Sequence, residues 1–353
     1  MKLLITGGSG FIGSTLVLTA LGRGHEVVNL DALTYAANPA SLDAVRNDSA
    51  YQFEHADIRD SAALARVFAQ HQPDAVMHLA AESHVDRSID GPQVFVDTNV
   101  GGTAQLLQAS TEYYRRLAAD RAAAFRFHHI STDEVYGSLG ATGRFSEESP
   151  YRPNSPYAAS KASADMMVRA WHSTYALPTI ISNCSNNYGP RQFPEKLIPV
   201  VILSALKGAP IPVYGRGANV RDWLHVEDHA DALLAILERG RIGETYNVGG
   251  DAECSNLELV RLLCTELDRQ HPRTGASSDQ ITFVTDRPGH DFRYAIDAAK
   301  LQGELGWSPR FTLAEGLAQT VGWYLDHADW CRAALTRLGG DDRLERLGLG
   351  AKG

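Results

Sequence analysis

Two short stretches of this 353-residue chain hold side chains that could move protons. Asp133 and Glu134 stand side by side in STDEVYG (residues 131–137), behind Thr132 and after an apolar run. Adjacent carboxyls can divide labour: burial, or the charge of its neighbour, keeps one protonated as an acid while the other accepts a proton as a base. Such a pair titrates together. In YAASK, Tyr157 and Lys161 are four residues apart, hence one turn apart on one face of a helix. Ser155 suits the cap of that helix and Pro156 its first turn. A phenol with a reference pKa of about 10 is a poor base at neutral pH. A nearby ammonium, or the positive ring of a nicotinamide, favours the phenolate. The pair therefore suits removal of a hydroxyl proton while hydride leaves the same carbon. Alone, each stretch has a plainer reading: a polar helix start, and a surface aromatic–lysine pair.

The setting of these residues shifts the balance. TGGSGFIG (residues 6–13) lies between a predicted strand and a predicted helix and fits two glycine spacings, Gly8–Gly10–Gly13 and Gly7–Gly10–Gly13. Glycines let backbone N–H groups approach a pyrophosphate, and the helix N-terminus adds its positive end. Gly7, Gly10, Phe11, Ile12 and Gly13 are the candidate contacts. Asp31 follows the second predicted strand, where an acid accepts the adenosine ribose hydroxyls and repels a 2′-phosphate, which favours NAD over NADP. Ala32, Leu33 and Thr34 adjoin it, and Asp57 and Ile58, after the third strand, are placed to hold the adenine edge.

The elements that must position these groups alternate. Apolar runs at 2–6, 26–30, 51–57, 75–80, 125–131 and 179–185 read as strands separated by helical segments, the first at 10–21. Continuous apolar strands alternating with helices predict an α/β fold, a doubly wound parallel sheet of the Rossmann type. Past residue 188 the prolines at 190, 194, 199, 210 and 212 interrupt the pattern and strands shorten, which predicts a smaller mixed α/β lobe. In that lobe 255–268 reads as an amphipathic helix with a capping box from Ser255 and Glu258. The division expected is 1–187 for the nucleotide, 188–325 mainly for substrate with some exchange of chain between lobes, and a tail at 326–353 of low order.

Composition excludes some classes. A net charge of −9 argues against nucleic acid as partner. The four cysteines, Cys184, Cys254, Cys264 and Cys331, show no paired spacing, so neither a metal site nor a disulfide framework is expected. No apolar run approaches the roughly 20 residues that span a bilayer. The N-terminal residues lack a signal-peptide layout, and a cytoplasmic location is expected.

TGGSGFIG, Asp31, HLAAESHVDRS (78–88), STDEVYG and YAASK together resemble the extended short-chain dehydrogenase/reductase family over roughly residues 1–325. Longer strings narrow the likeness to the dTDP-glucose 4,6-dehydratases within it: SNNYGPRQFPEKLIP (185–199), GANVRDWLHVEDHADA (217–232) and DRPGHDFRYAID (286–297). The resemblance implies that Tyr157 takes the carbon-4 hydroxyl proton as hydride passes to NAD+. Glu134 then removes the carbon-5 proton, Asp133 protonates the departing carbon-6 hydroxyl, and hydride returns to carbon 6. Thr132 would hydrogen-bond the sugar oxygen. It further implies that Leu79, Ala80, Ala81, Glu82, Ser83, Thr98 and Asn187 line the cofactor. His84 and Asn186 would face the sugar. Glu195, Lys196, Leu197, Pro212, Val213 and Tyr214 would surround the nucleotide, and Arg221, Asn256, Arg287 and His290 would hold the diphosphate and sugar. A homodimer through helices near 99–117 and 157–175 is the family's expectation. Arg191–Gln192 departs from the aromatic first position expected there and is a candidate to tune the site rim. A 4-epimerase, a decarboxylase, a GDP-mannose dehydratase, or a non-catalytic NAD-binding regulator on the same fold stay open; the adjacent acids speak for dehydration.

Overall fold

Seven parallel strands form the larger sheet in a computed structural model that describes residues 1–337. They are β1 (Lys2–Thr6), β2 (Glu26–Asp31), β3 (Tyr51–His55), β4 (Ala75–His78), β5 (Arg126–Thr132), β6 (Thr179–Cys184) and, past three intervening strands, β10 (Thr245–Val248). Their order is β10-β6-β5-β4-β1-β2-β3, all pairs parallel. The apolar runs arise because both faces are covered. Along β1, Leu3 and Ile5 enter one core with the helices Phe11–Gly22 and Val226–Arg239, while Leu4 enters the other with Ser61–His71, Thr103–Tyr114 and Pro156–Tyr175.

The chain reverses its direction of winding between β1 and β4. At such a point the helices diverge and leave a crevice at the carboxyl ends of the strands. Thr6, Asp31, His78, Thr132 and Cys184 are those ends. Asp31 and the adjacent acids Asp133 and Glu134 thus converge on one cavity although about 100 residues of sequence separate them.

Two small sheets follow. One joins β11 (Glu253–Ser255), β9 (Val220–His225) and β7 (Asn186–Tyr188); the other pairs β12 (Ile281–Val284) with β8 (Ile211–Tyr214). They share a separate apolar core with the helices Leu197–Lys207, Asn256–Gln270 and Leu313–Asp326. Two strands of expectation differ in detail. Ser255 Oγ accepts from Glu258 N at 3.2 Å, but the reciprocal, two-way box forms at Thr312 and Glu315 instead. The tail expected to be of low order continues as a helix, Ala328–Arg337, because Trp330, Cys331 and Ala334 recur on one face and bury in the same core. Gly339 and Gly340 lie outside the described residues. No helix among the described residues is long and apolar enough to cross a membrane.

Candidate active site

The crevice is a cavity of about 450 Å³. At one end the chain turns sharply from β1 into the first helix. Gly7 has φ of 74°, donates its N–H to Leu30 O at 2.9 Å, and accepts at its carbonyl from Gly10 N at 3.1 Å. A Cβ on Gly13 would stand 2.1 Å from Gly7 O, so only glycine allows this turn. Gly7, Gly10 and Gly13 line the cavity, with Phe11 and Ile12. Gly8 instead makes room for Asn29, whose Oδ1 would lie 2.3 Å from a Cβ there. Of the two glycine spacings, the one starting at Gly7 is therefore the cradle, and Gly8 is a packing residue.

Asp31 ends β2 beside this turn and lines the same cavity. Its carboxylate accepts from Ser9 N at 2.9 Å and Leu33 N at 2.8 Å. Burial pushes its pKa up, and those two N–H groups pull it back. Ala32, Thr34, Asp57 and Ile58 line this part; Leu33 does not, its φ of 52° turning the chain so that its N–H serves Asp31. Leu79, Ala80, Ala81, Glu82, Ser83, Thr98 and Asn187 also line the cavity. Asn99, missed from sequence, fixes that loop by accepting from Glu82 N (2.8 Å) and donating to Glu82 O (2.9 Å). A glycine cradle beside a buried acid at the end of β2 fits a dinucleotide such as NAD.

Thr132, Asp133, Glu134, Tyr157 and Lys161 line the other part of the same cavity. Thr132 ends β5, and its Oγ1 accepts from Glu134 N at 3.3 Å as the chain enters the short turn Asp133–Tyr136. That cap holds both acids at the strand end. Ser155 Oγ likewise accepts from Ala158 N at 3.1 Å and starts the helix of Tyr157 and Lys161. Tyr157 hydrogen-bonds Thr132, and Lys161 Nζ donates to Ile130 O at 2.8 Å.

Electrostatics separate the two acids. Burial pushes the Asp133 pKa well above the carboxyl range, and the charges of Glu134 and Asp222 add to it while Arg221 opposes. Asp133 is 1% exposed, and its Oδ2 is buried without a hydrogen-bond partner. Burial also raises Glu134, but Arg287, Arg221 and Lys196 pull it down. Asp133 is thus the carboxyl that keeps its proton, and Glu134 is the readier base. Tyr157 differs from expectation: burial dominates and drives the phenol well above its usual value, Glu134 and Cys184 adding, with only the Thr132 contact opposing them among its leading influences. The ammonium of Lys161 is engaged by a backbone carbonyl, and burial lowers its own pKa.

Among the residues expected at substrate, Asn186, Glu195 and Lys196 line the cavity with Thr132; His84, Leu197, Pro212, Val213, Tyr214, Arg221, Asn256, Arg287 and His290 do not. His84 caps the helix Val85–Asp90 and stands 3.8 Å from Glu195. Asp86 gathers Arg287 and the Tyr214 hydroxyl, each at 2.9 Å. His290 pairs with Asp286 at 2.6 Å. Arg221 is buried, donates to Asp291 O at 2.9 Å and lies 4.3 Å over the Tyr294 ring. Val213 faces the core of the smaller lobe, and Leu197 and Asn256 begin helices. Arg191 does not reach the rim: it donates to Thr15 Oγ1 on the first helix at 3.3 Å, while Gln192 lines the cavity. Ile130, Ser131, Cys184 and Ser185 line it too. They adjoin the ends of β5 and β6, where Thr132 and Cys184 are in register, and the carboxyl-end rule alone points to them.

A dinucleotide cradle sharing one cavity with a Tyr–Lys pair, on a doubly wound sheet, defines the class of NAD-linked short-chain dehydrogenase/reductases. The family model described as GDP-mannose 4,6 dehydratase matches residues 4–320. A curated relative from Xanthomonas campestris pv. campestris, named dTDP-glucose 4,6-dehydratase, is 56% identical over 347 residues, 98% of each chain. The crystal structure of dTDP-glucose 4,6-dehydratase from Bacillus anthracis in complex with NAD has 43% identity and a TM-score of 0.84, covering 95% of this chain and 99% of that one. That of the Streptomyces venezuelae enzyme, also with NAD bound, has 46% identity and a TM-score of 0.87, over 95% and 100%. The chain belongs to this family of nucleotide-sugar 4,6-dehydratases.

Proposed function

We infer that the protein is an NAD-dependent lyase that converts dTDP-glucose to dTDP-4-keto-6-deoxyglucose and water. One observation carries the reading: a fully buried, proton-holding Asp133 stands next to the more ionisable Glu134, in the cavity that holds the NAD cradle and Tyr157. A 4-epimerase or decarboxylase needs the redox pair but not an acid and a base for two further carbons. Relatives 52–57% identical carry the dTDP-glucose name, which favours that substrate over the mannose nucleotide of the family model's description.

Gly7, Gly10, Gly13, Asp31 and the loop of residues 79–83 would hold the cofactor. Bound there, NAD+ would supply a hydride acceptor for sugar carbon 4 and, in its reduced form, a hydride donor for carbon 6, so no net oxidation would result. Tyr157 Oη, beside Thr132, would take the proton of the carbon-4 hydroxyl as a phenolate, the form that the positive nicotinamide ring of bound NAD+ would favour against burial. Glu134 takes the carbon-5 proton, made acidic by the neighbouring carbonyl, and later returns a proton there. Asp133 gives its proton to the leaving carbon-6 oxygen, and water departs. Arg221 and Arg287 are proposed to meet the diphosphate, a geometry guanidinium groups suit; Arg287 would then exchange or share its Asp86 contact. Residues 188–325 would contribute most of the sugar-nucleotide contacts.

Purified protein incubated with dTDP-glucose and no added NAD should form the 4-keto sugar, with UDP- and GDP-linked sugars turned over far more slowly. A carbon-4 epimer without keto product would refute the reading. We also propose a homodimer through the helices near 99–117 and 157–175, where Val96, Met166 and Tyr175 leave apolar surface exposed on or beside these segments; a monomer by light scattering would exclude it. A cytoplasmic location accords with four buried, free cysteines.

A further inference from the structure

Beneath Tyr157 and Lys161 lies a closed polar cluster to which the reaction above assigns no part. Asp165 follows Lys161 by four residues on the helix Pro156–Tyr175, so Tyr157, Lys161 and Asp165 succeed one another turn by turn on one face. Asp165 is wholly buried. Its Oδ2 accepts from Ser131 Oγ at 2.9 Å, beside Thr132 on β5, and from Tyr151 Oη at 2.9 Å, in the segment before the helix. Its Oδ1 stands 3.1 Å from Nε2 of His129 on β5, which is also fully buried. The His129 ring packs 5.1 Å from that of His78, which is itself held between Thr6 and Thr103.

A buried ammonium needs a counter-charge. Lys161 is 4% exposed, and its direct partner, Ile130 O, supplies a dipole and no charge. Glu134 lines the same cavity as Lys161 but is not among the leading influences on it, and of the groups that are, or that pack around it here, one is an anion. His129 and His78 are held neutral by burial, with the Lys161 charge itself disfavouring their protonation. Burial pushes the Cys184 thiol up to about 12 and the Tyr157 phenol well above its usual value, so with no cofactor charge beside them both are uncharged at neutral pH. Arg169, whose charge also reaches Asp165, is a second cation. Asp165 remains: burial raises its pKa to about 6, with Lys161, Ser131 and Tyr151 opposing, which leaves it ionised at neutral pH. It is also the leading influence that supports the charged form of Lys161.

We propose that Asp165 is a positioning residue for the redox step: its buried carboxylate keeps Lys161 an ammonium and, through Ser131, braces the strand end that carries Thr132. The inference rests on the reading of Tyr157 and Lys161 as the proton-transfer pair. Asp165→Asn keeps size and hydrogen-bonding capacity but removes the charge. The basic limb of the pH–turnover profile should then move to lower pH by about one unit or more, since an uncompensated buried ammonium gives up its proton sooner. Asp165→Glu, which restores the charge, should return the limb toward wild type. Tyr151→Phe, which removes a hydrogen bond and no charge, should leave the limb in place. If the Asn variant does not fold, Asp165→Ser serves as the neutral variant. A neutral variant that is slower at every pH with an unmoved limb overturns the proposal, as does a Tyr151→Phe shift equal to that of Asp165→Asn. Lys161→Ala separates the two readings. Wild-type turnover in that variant overturns the Tyr157–Lys161 assignment and this inference with it. An inactive Lys161→Ala beside an unshifted Asp165→Asn limb overturns the Asp165 role alone.

Discussion

Replacing Asp133 by asparagine tests the division of labour between the two acids. The side chain is 1% exposed, and burial, Glu134 and Asp222 keep it a neutral carboxylic acid. Asparagine is also neutral and nearly the same shape, so the charge of the site hardly changes at neutral pH. What disappears is a proton that can be given away. A positioned general acid contributes about 10²- to 10⁴-fold, or roughly 3–5 kcal/mol of barrier, and kcat should fall by that factor. Carbon-4 oxidation does not need Asp133, so a single turnover should still show reduced-nicotinamide absorbance, which now persists instead of decaying. Stability should move the other way. The unfolded carboxyl ionises at about pH 3.9 while the folded one holds its proton. The wild-type contribution is therefore full below that pH and falls, by about 1.4 kcal/mol per pH unit, as pH rises toward the raised folded value. Asparagine has no such window. The variant should melt at or above wild type at neutral pH, with the gap closing on acidification toward about pH 4. Wild-type kcat, or loss of the absorbance signal in a folded variant, would refute the assignment of Asp133 as the acid.

Glu134→Gln should abolish exchange of the carbon-5 proton with solvent while carbon-4 oxidation survives; exchange at the wild-type rate would move the base elsewhere. Glu134 must be ionised to act, and burial raises its pKa. Wild-type turnover should therefore fall with decreasing pH from a point above the usual glutamate range, while the carbon-4 oxidation that survives in the glutamine variant should show no such limb. Gly13→Ala would press a methyl group to 2.1 Å from Gly7 O. The turn must open, and NAD retained through purification should drop, with affinity at least about 30-fold weaker, or about 2 kcal/mol; full NAD occupancy in a folded variant would show that the cradle tolerates the displacement.

The parts of the molecule legible in the sequence are those whose physics is local. Strand, glycine turn and helix succeed one another within 22 residues, and the cradle depends on that succession alone. Asp31 is legible because it ends the next strand. Even there, the choice of Gly7 over Gly8 rests on a distant fact, the Asn29 side chain under Gly8. Asn99 carries no local signal, since its partner Glu82 lies 17 residues away on another element, and Asp165, though one turn past Lys161, gives no sign in the sequence of its bond to Ser131 on β5, 34 residues away. Adjacency of Asp133 and Glu134 shows that two acids share a site but not which of them holds the proton. That asymmetry is tertiary. Lys196, Arg221 and Arg287 come from three separate segments to face Glu134, while Asp222 comes from β9 to push Asp133 further up. The opposing pulls on Glu134 come from residues past 188, whereas the Rossmann-type sheet supplies the backbone that carries both acids. The first sheet can thus serve any redox chemistry at carbon 4, and the charges that the later segments bring to two neighbouring carboxyls bias the same cavity toward the loss of water.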